Sequence, residues 1–486
     1  MEGFGQMRGA SMAWRAALAV GLMVGFYVLA FAIAGGLLFL CYAMVVWGER
    51  VQLQVLFFSV VGAGAILWSI FPRIDRFVPP GPELKREDHP RLFAEIESVS
   101  RAVGQEMPAN VYLVPDVNAW VSQRGGVMGV GSKRVMGLGL ALMRVLTVSE
   151  FRAVLAHEFG HYYGGDTKLG PWVYKTHGAI GRTVTMLDGR FLQKPFLWYG
   201  TMFLRVSHAV SRRQELTADR LAATVAGKDA LVKGLIKTHG AGMAFEPFWQ
   251  TEVVPVLSSG FRVPLAEGFG RFMSSASITE AMKKAIHEEM REGQLNPYDT
   301  HPPLKQRIAA VQDMPERGKE NSRPATVLLE NVKEQEQWLL ASLAGIEAVR
   351  QLTASRWEDV GMQVWLPLWR KVVKEHVAVL RGLVSENLPR QVVPAMRNEE
   401  TLNTEKMQTM LQAISVSLVV AMVEAGGVLN CMVGSEVSVE RGGLKVEPFR
   451  VLQRLADDEL RDAEWRSQCE VLGIARVDLG TVGGSD

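Results

Sequence analysis

The chain has 486 residues, enough for about two to four domains, and a formal net charge of +2. A balance this close to neutral gives no global electrostatic case for a nucleic-acid partner, and no glycine-rich phosphate loop, nucleic-acid module or internal repeat stands out. The three cysteines, Cys41, Cys431 and Cys469, are scattered without metal or redox spacing, which points weakly to a reducing compartment.

The hydrophobic residues are unevenly spread. Residues 16–47, "AALAVGLMVGFYVLAFAIAGGLLFLCYAMVVW", carry no charge and are more than long enough to cross a bilayer. A second apolar run covers 55–71. A cleaved signal peptide is the rival reading of the first run, but its apolar core is unusually long and the second run follows at once. The expectation is a transmembrane helical hairpin, with a single span plus a membrane-lying segment as the next choice. Arg8 and Arg15 precede the first run, and Arg73, Arg76, Lys85 and Arg86 follow the second, whereas Arg50 beside Glu49 is the only base between them. Basic residues favour the cytoplasmic side, so both ends of the hairpin, and whatever follows it, are expected in the cytoplasm, with the chain integral to the inner or plasma membrane.

Residues 77–90, "FVPPGPELKREDHP", read as a linker by their prolines and charges. "RLFAEIESVSRAVG" predicts a helix and "ANVYLVP" a strand, and "GVMGVGSKRVMGLGLALMRVL" predicts a hairpin passing into a helix.

The stretch "VLAHEFGHYYGGD", 154–166, places chemistry on a helix. Apolar residues at Phe151, Val154, Leu155 and Phe159 fit a helical period, which sets His157 and His161 one turn apart on one face. Two imidazoles so placed reach a single metal ion, while Glu158 reaches a water beside that ion and can take its proton: the HExxH arrangement of two nitrogen ligands and one general base. Tyr162 and Tyr163 are alternatives for transition-state stabilisation but read first as packing residues, and Asp166 as a brace for the helix end. A hydrolytic zinc site needs a third protein ligand. In "SRRQELTADRLAA", from 211, Glu215 and Asp219 are again four apart; Glu215 would complete the ligand set and Asp219 would hold the N–H of a ligand imidazole. Taken alone, the pair would read as an ordinary solvent-facing i, i+4 couple among Arg212, Arg213 and Arg220.

Together, "LTVSEFRAVLAHEFGHYYGGD" and "SRRQELTADRLAA" resemble the membrane-associated zinc metallopeptidases of the M48 type, the HtpX and CAAX-protease group. "MPANVYLVPDVNAW" resembles the strand of that group ending in Asn-Ala, and "DTHPPLKQRIAAV" its His-Pro segment followed by an arginine. The resemblance covers roughly 83–314 in four ordered motifs. It implies one zinc ion held by His157, His161 and Glu215, Glu158 as base, Asp219 orienting a ligand, Asn118 on an edge strand near a peptide or protein substrate, and His301 and Arg307 close to the cleft. For the last two, polarising the scissile carbonyl, gating the zinc and structural pairing are all open. The implied fold is α+β and mostly helical: a transmembrane hairpin in 1–80, a zincin-like (gluzincin) core with a small sheet in 81–314, and a C-terminal α/β accessory region in 315–486.

The implied activity is peptide-bond hydrolysis by zinc-activated water without a covalent intermediate, in membrane-protein quality control as HtpX-like relatives perform it. Two other readings compete. One is a catalytically silent membrane scaffold on a protease fold, which would have no need of Glu158. The other is CAAX-type processing, for which the sequence lacks an enclosing helical barrel. Relatives place further membrane helices between the ligand motifs. Here "PFLWYGTMFLRVSHAVS" is short and contains Arg205 and His208, and it is expected as a core or cleft-covering helix, with a membrane-surface helix as the alternative. "GFRVPLAEGFGRFM" is expected as an insertion near the cleft. Beyond the second linker, "PERGKENSRPA", helical periodicity recurs, "SVSLVVAMV" is too short to span, and "EVSVERGGLKVEPF" predicts a hairpin followed by one helix, "VLQRLADDELRDAEWRSQCEVLG". The oligomeric state is not legible.

Overall fold

A computed structural model of the chain describes residues 6–48, 50–71, 76–126, 131–162, 170–187, 191–293, 299–316, 320–397 and 404–483. The fold is mostly helical with small sheets, as the patterning predicts. By packing the chain divides into two compact units, Met1–Gly242 with Lys283–Ser342, and Met243–Met282 with Leu343–Asp486. Residues 243–282, which the motifs bracket within the 81–314 region, therefore group with the C-terminal unit.

In the first unit, the two uncharged runs form helices α1 (Gln6–Val46) and α2 (Leu53–Ile70), both long and apolar enough to cross a membrane. They do not stand alone. Helix α6 (Gly170–Met186) and the start of α7 (Gln193–Ala226) pack against them, burying Ala179 and Ile180 of α6 and Phe196, Tyr199 and Phe203 of α7 with Met23, Phe26 and Ala30 of α1 and Ala63, Ile66 and Ile70 of α2. The "PFLWYGTMFLRVSHAVS" segment is thus a core helix, but of this four-helix bundle and not a cover for the cleft. The reason is its aromatic spacing: positions 196, 199 and 203 fall on one helical face.

The linker at 77–90 contains a short strand, β1 (Glu83–Leu84), which pairs antiparallel with β2 (Asn110–Val114). The sheet order is β1-β2-β4-β3, with β2 parallel to β4 (Lys133–Gly139) and β3 (Ala119–Arg124) antiparallel to β4 on an edge. Gly137 is required there: a Cβ would lie 2.3 Å from Cε2 of Trp120, its cross-strand partner. Helix α3 (Pro90–Ala102) buries Leu92, Ile96 and Val99, and α4 (Leu140–Val145) leads into α5 (Val148–Gly160).

The second unit is built around the helix Glu405–Glu424. By length and composition this is a third candidate membrane span, twice as long as its apolar stretch suggests, but its residues 413–422 are buried in the unit's own core together with Leu366, Trp369, Val451 and Trp465. The indole N–H of Trp465 donates to Ser385 O at 2.8 Å, and that of Trp357 to Pro264 O at 2.8 Å. The second contact draws "GFRVPLAEGFGRFM" into this unit, where Phe261–Arg262 pairs with Thr353–Ala354, so the segment is no cleft insertion. The predicted hairpin is present, Ser438–Arg441 against Leu444–Val446. The helix expected after it is two, Pro448–Ala456 and Asp462–Leu472, because Asp458 takes a left-handed conformation (φ 59°) between them. All three cysteines are free, and burial pushes the thiols of Cys431 and Cys469 up to about 12.

One buried acid makes the second unit's stability pH-dependent. Glu252 accepts from Gly434 N at 3.1 Å, and burial pushes it up to about 7. An acid whose folded pKa exceeds its unfolded value stabilises the fold while protonated. That contribution is complete below about 4.5, is lost as pH rises, and is gone above about 7. Amide-exchange protection of residues 249–253, corrected for intrinsic rates, is expected to fall between pH 5 and 7.5, and Glu252→Gln to flatten this profile.

Candidate metal centre and active site

The site begins with a helix start. Thr147 and Glu150 cap α5 reciprocally: Glu150 N donates to Thr147 Oγ1 at 3.3 Å and Thr147 N to Glu150 Oε2 at 2.8 Å. The buried Glu150 also pairs with Lys237 Nζ at 2.8 Å. With its first turn fixed, α5 carries Val154, His157 and Glu158 to the cleft and ends at His161.

Helix α7 crosses α5 closely. A Cβ on Gly160 would come within 3.0 Å of Ala218 Cα, so the glycine lets the two backbones approach. Glu215 and Asp219 flank Ala218 and meet the histidines. His157 Nε2 lies 3.4 Å from Glu215 Oε2, and His161 Nε2 lies 3.5 Å from Glu215 Oε1. One donor atom from each of His157, His161 and Glu215 lies within 4.8 Å of the others. Among the described residues this is the only group of three such side chains. Tetrahedral zinc with bonds of about 2.0–2.1 Å spaces its ligand atoms by about 3.3 Å, so two imidazole nitrogens and a carboxylate fit it in kind and in spacing. Glu215 Oε2 is buried among His301 Nδ1 at 3.0 Å, His157 Nε2 at 3.4 Å and Arg307 Nη2 at 3.5 Å.

Asp219 is fully buried. It accepts from His157 Nδ1 at 2.9 Å, which leaves Nε2 directed to the cluster, and from Arg307 through two contacts, Nε to Oδ2 at 2.9 Å and Nη2 to Oδ1 at 2.7 Å. Arg307 belongs to the helix Leu304–Val311, docked onto α7 by Arg220 Nη1 to Ala310 O at 2.7 Å, while Arg212 Nη1 holds Asp299 O at 2.7 Å. Arg212 and Arg220 thus tie α7 to the 299–312 segment from its exposed side, a role with no local sequence signal. His301, on that segment and 64% exposed, places Nδ1 3.0 Å from Glu215 Oε2.

These neighbours set the protonation. Burial pushes His157 down, but its hydrogen bonds to Asp219 and Glu215 outweigh it and hold it up at about 9. Burial, with the nearby His157, takes His161 down to about 4. Glu215 and Asp219 are held well below the usual carboxylate range: burial opposes this, but hydrogen bonds from His157 and His301 to the first, and from Arg307 and His157 to the second, prevail. Burial pushes Glu158 up to about 7, where a carboxylate can both accept and return a proton near neutrality.

A cavity of about 600 Å³ opens on the cluster, lined by Asn118, Leu142, Val154, His157, Glu158, His301 and Arg307, and beyond them by α8 (Lys228–Phe248). Asn118 is exposed at the start of edge strand β3, and its carbonyl accepts from Gly139 N at 2.8 Å. The structure thus brings Asn118, His157, Glu158, His161, Glu215, Asp219, His301 and Arg307 to one locality. Tyr162 is a packing residue: its O–H donates to Val121 O at 3.0 Å and Arg134 covers its ring at 4.4 Å. Tyr163 and Asp166 lie outside the described residues. Sequence reasoning missed Thr238, His239 and Glu289, which complete the cavity wall from 80 to 130 residues beyond the first histidine.

Comparison with known proteins agrees with this geometry. The family model described as "Peptidase family M48" matches residues 86–315. A "Protease HtpX homolog" of Tropheryma whipplei is 24% identical over 281 residues, 53% of this chain and 85% of the relative. The "Protease HtpX" of Acinetobacter baylyi is 22% identical over 258 residues, 48% and 76%. A "Protease HtpX homolog" of Archaeoglobus fulgidus is 23% identical over 240 residues, 46% and 68%. No solved structure matches.

Removing one partner of a buried ion pair leaves an uncompensated charge, which destabilises by about 3–5 kcal/mol. Arg307→Ala is expected to lower the thermal midpoint of the detergent-solubilised protein with chelator present, so that metal plays no part. Arg213→Ala, two residues before Glu215 on α7 and outside the cluster, is expected to change it little.

Proposed function

We propose that this chain, whose residues 86–315 match the M48 peptidase family, is a zinc-dependent endopeptidase anchored in a membrane by α1 and α2, with its catalytic region in the cytoplasm. The observation that carries the reading is the convergence of His157, His161 and the buried Glu215 carboxylate, with Glu158 beside them in an open cavity.

His157, His161 and Glu215 would hold one zinc ion. When bound, zinc supplies Lewis acidity, which lowers the pKa of water and polarises a carbonyl. The rest falls to this chain's own groups. Glu158 removes the proton of the attacking water and returns it to the leaving nitrogen. Asp219, held by Arg307, keeps His157 in the tautomer that presents Nε2. Of the roles open to Arg307, structural pairing fits its two contacts with Asp219. His301, exposed at the cavity mouth, is placed to donate to a substrate oxygen. Asn118 stands at the start of an edge strand, whose free backbone groups suit an extended peptide. The basic residues flanking the hairpin support the cytoplasmic side, and the substrate is a peptide or protein.

The test is zinc content and casein or self-cleavage on wild type and Glu158→Gln in detergent. Zinc in both with cleavage only in wild type is expected, a loss of at least about a hundredfold, and a chelator should abolish cleavage until zinc is restored. Zinc in both with equal cleavage would remove Glu158 as base, and wild type without zinc would overturn the reading.

A further inference from the structure

The cavity continues past the catalytic helix along α8. Leu231, Leu235, Thr238 and His239 line it at helical spacing, a stripe about 12 Å long. Its N-terminal half is apolar, and Val154 of α5 also lines the cavity. Its C-terminal half is polar and rich in acceptors. Glu289 Oε2 lies 3.0 Å from His239 Nε2, and Asp299 adds a second carboxylate. Thr238 Oγ1 is buried with no hydrogen-bond partner. A buried hydroxyl left unpaired is exceptional in a folded protein and is explained where a ligand supplies the bond. Arg307, on the same cavity wall, is engaged by Asp219.

The side of the scissile bond follows from Glu158. Val154 lies one turn before it on the same face of α5. Glu158 returns its proton to the leaving nitrogen, so the side chain beside it belongs to the residue that owns that nitrogen. We propose that this extension is the specificity pocket for the residue on the amine side of the scissile bond, and that it takes lysine or arginine. The apolar stem lies along Leu231 and Leu235, and the cationic tip lies among Thr238, Glu289 and Asp299.

This rests on the protease reading, and the test separates the two. Purified full-length protein in detergent is given quenched fluorescent peptides that differ only at that residue: lysine, arginine, leucine, alanine or glutamate. Lysine and arginine are expected to exceed leucine in kcat/KM by about tenfold, and Glu289→Gln to bring that ratio close to one. Leu235→Trp, which fills the stem's path, should depress lysine, arginine and leucine relative to alanine. Glu289 Oε1 also lies 3.5 Å from Leu304 N, so its loss lowers absolute rates, but a ratio between substrates does not register a general loosening. Equal rates for all five peptides, or a basic preference that survives Glu289→Gln, would overturn the pocket and leave the protease intact. No cleavage of any peptide by zinc-loaded wild type would overturn both.

Discussion

A fully buried carboxylate cannot stand unpaired in a protein interior, and Asp219 is such a group. Its two contacts with Arg307 and its bond to His157 Nδ1 join three segments far apart in sequence: α5, α7 and the helix Leu304–Val311. The geometry of the metal centre follows from this one node. It fixes the His157 ring, sets α7 against α5 at the register where Gly160 meets Ala218, and holds the 299–304 segment over the cavity. The charges around the node are matched so that each ionised group has an opposite neighbour, which is why two carboxylates remain ionised where burial alone would neutralise them.

The same helix that carries Glu215 and Asp219 also builds the membrane-facing bundle. Helix α7 is 34 residues long, about 50 Å. Its first half buries Phe196, Tyr199 and Phe203 against α1 and α2, and its second half supplies the carboxylates. A rigid rod thus couples the anchoring helices to the metal site, so the height of the site above the bundle is set by helix length and not by a linker. The charged linker at 77–90 contributes β1 to the sheet and does not act as a tether.

The second unit holds itself together by different means. Its core is a buried apolar helix with two tryptophans whose indole N–H groups find carbonyl partners, and among its described residues no three metal-ligating side chains converge.

What the sequence by itself determined is what short-range periodicity encodes. The uncharged runs specify α1 and α2, the i, i+4 spacings put His157 with His161 and Glu215 with Asp219 on common faces, and alternation specifies the hairpin at 438–446. Ordered motifs then linked those local pieces into one expected site, with Asn118, His301 and Arg307 beside it. Only the tertiary structure decided which of the candidate partners meet. It made Arg307 the partner of Asp219, made Arg212 and Arg220 clamps onto the 299–312 segment, put the aromatic segment at 196–203 into the bundle, and moved 260–273 into the second unit. It also closed the cavity with Thr238, His239 and Glu289. The physical reason is the range of the forces: a helical face is fixed by neighbours within four residues, whereas ion pairing and burial act between residues that chain order leaves 90 to 150 positions apart, and no local pattern records them.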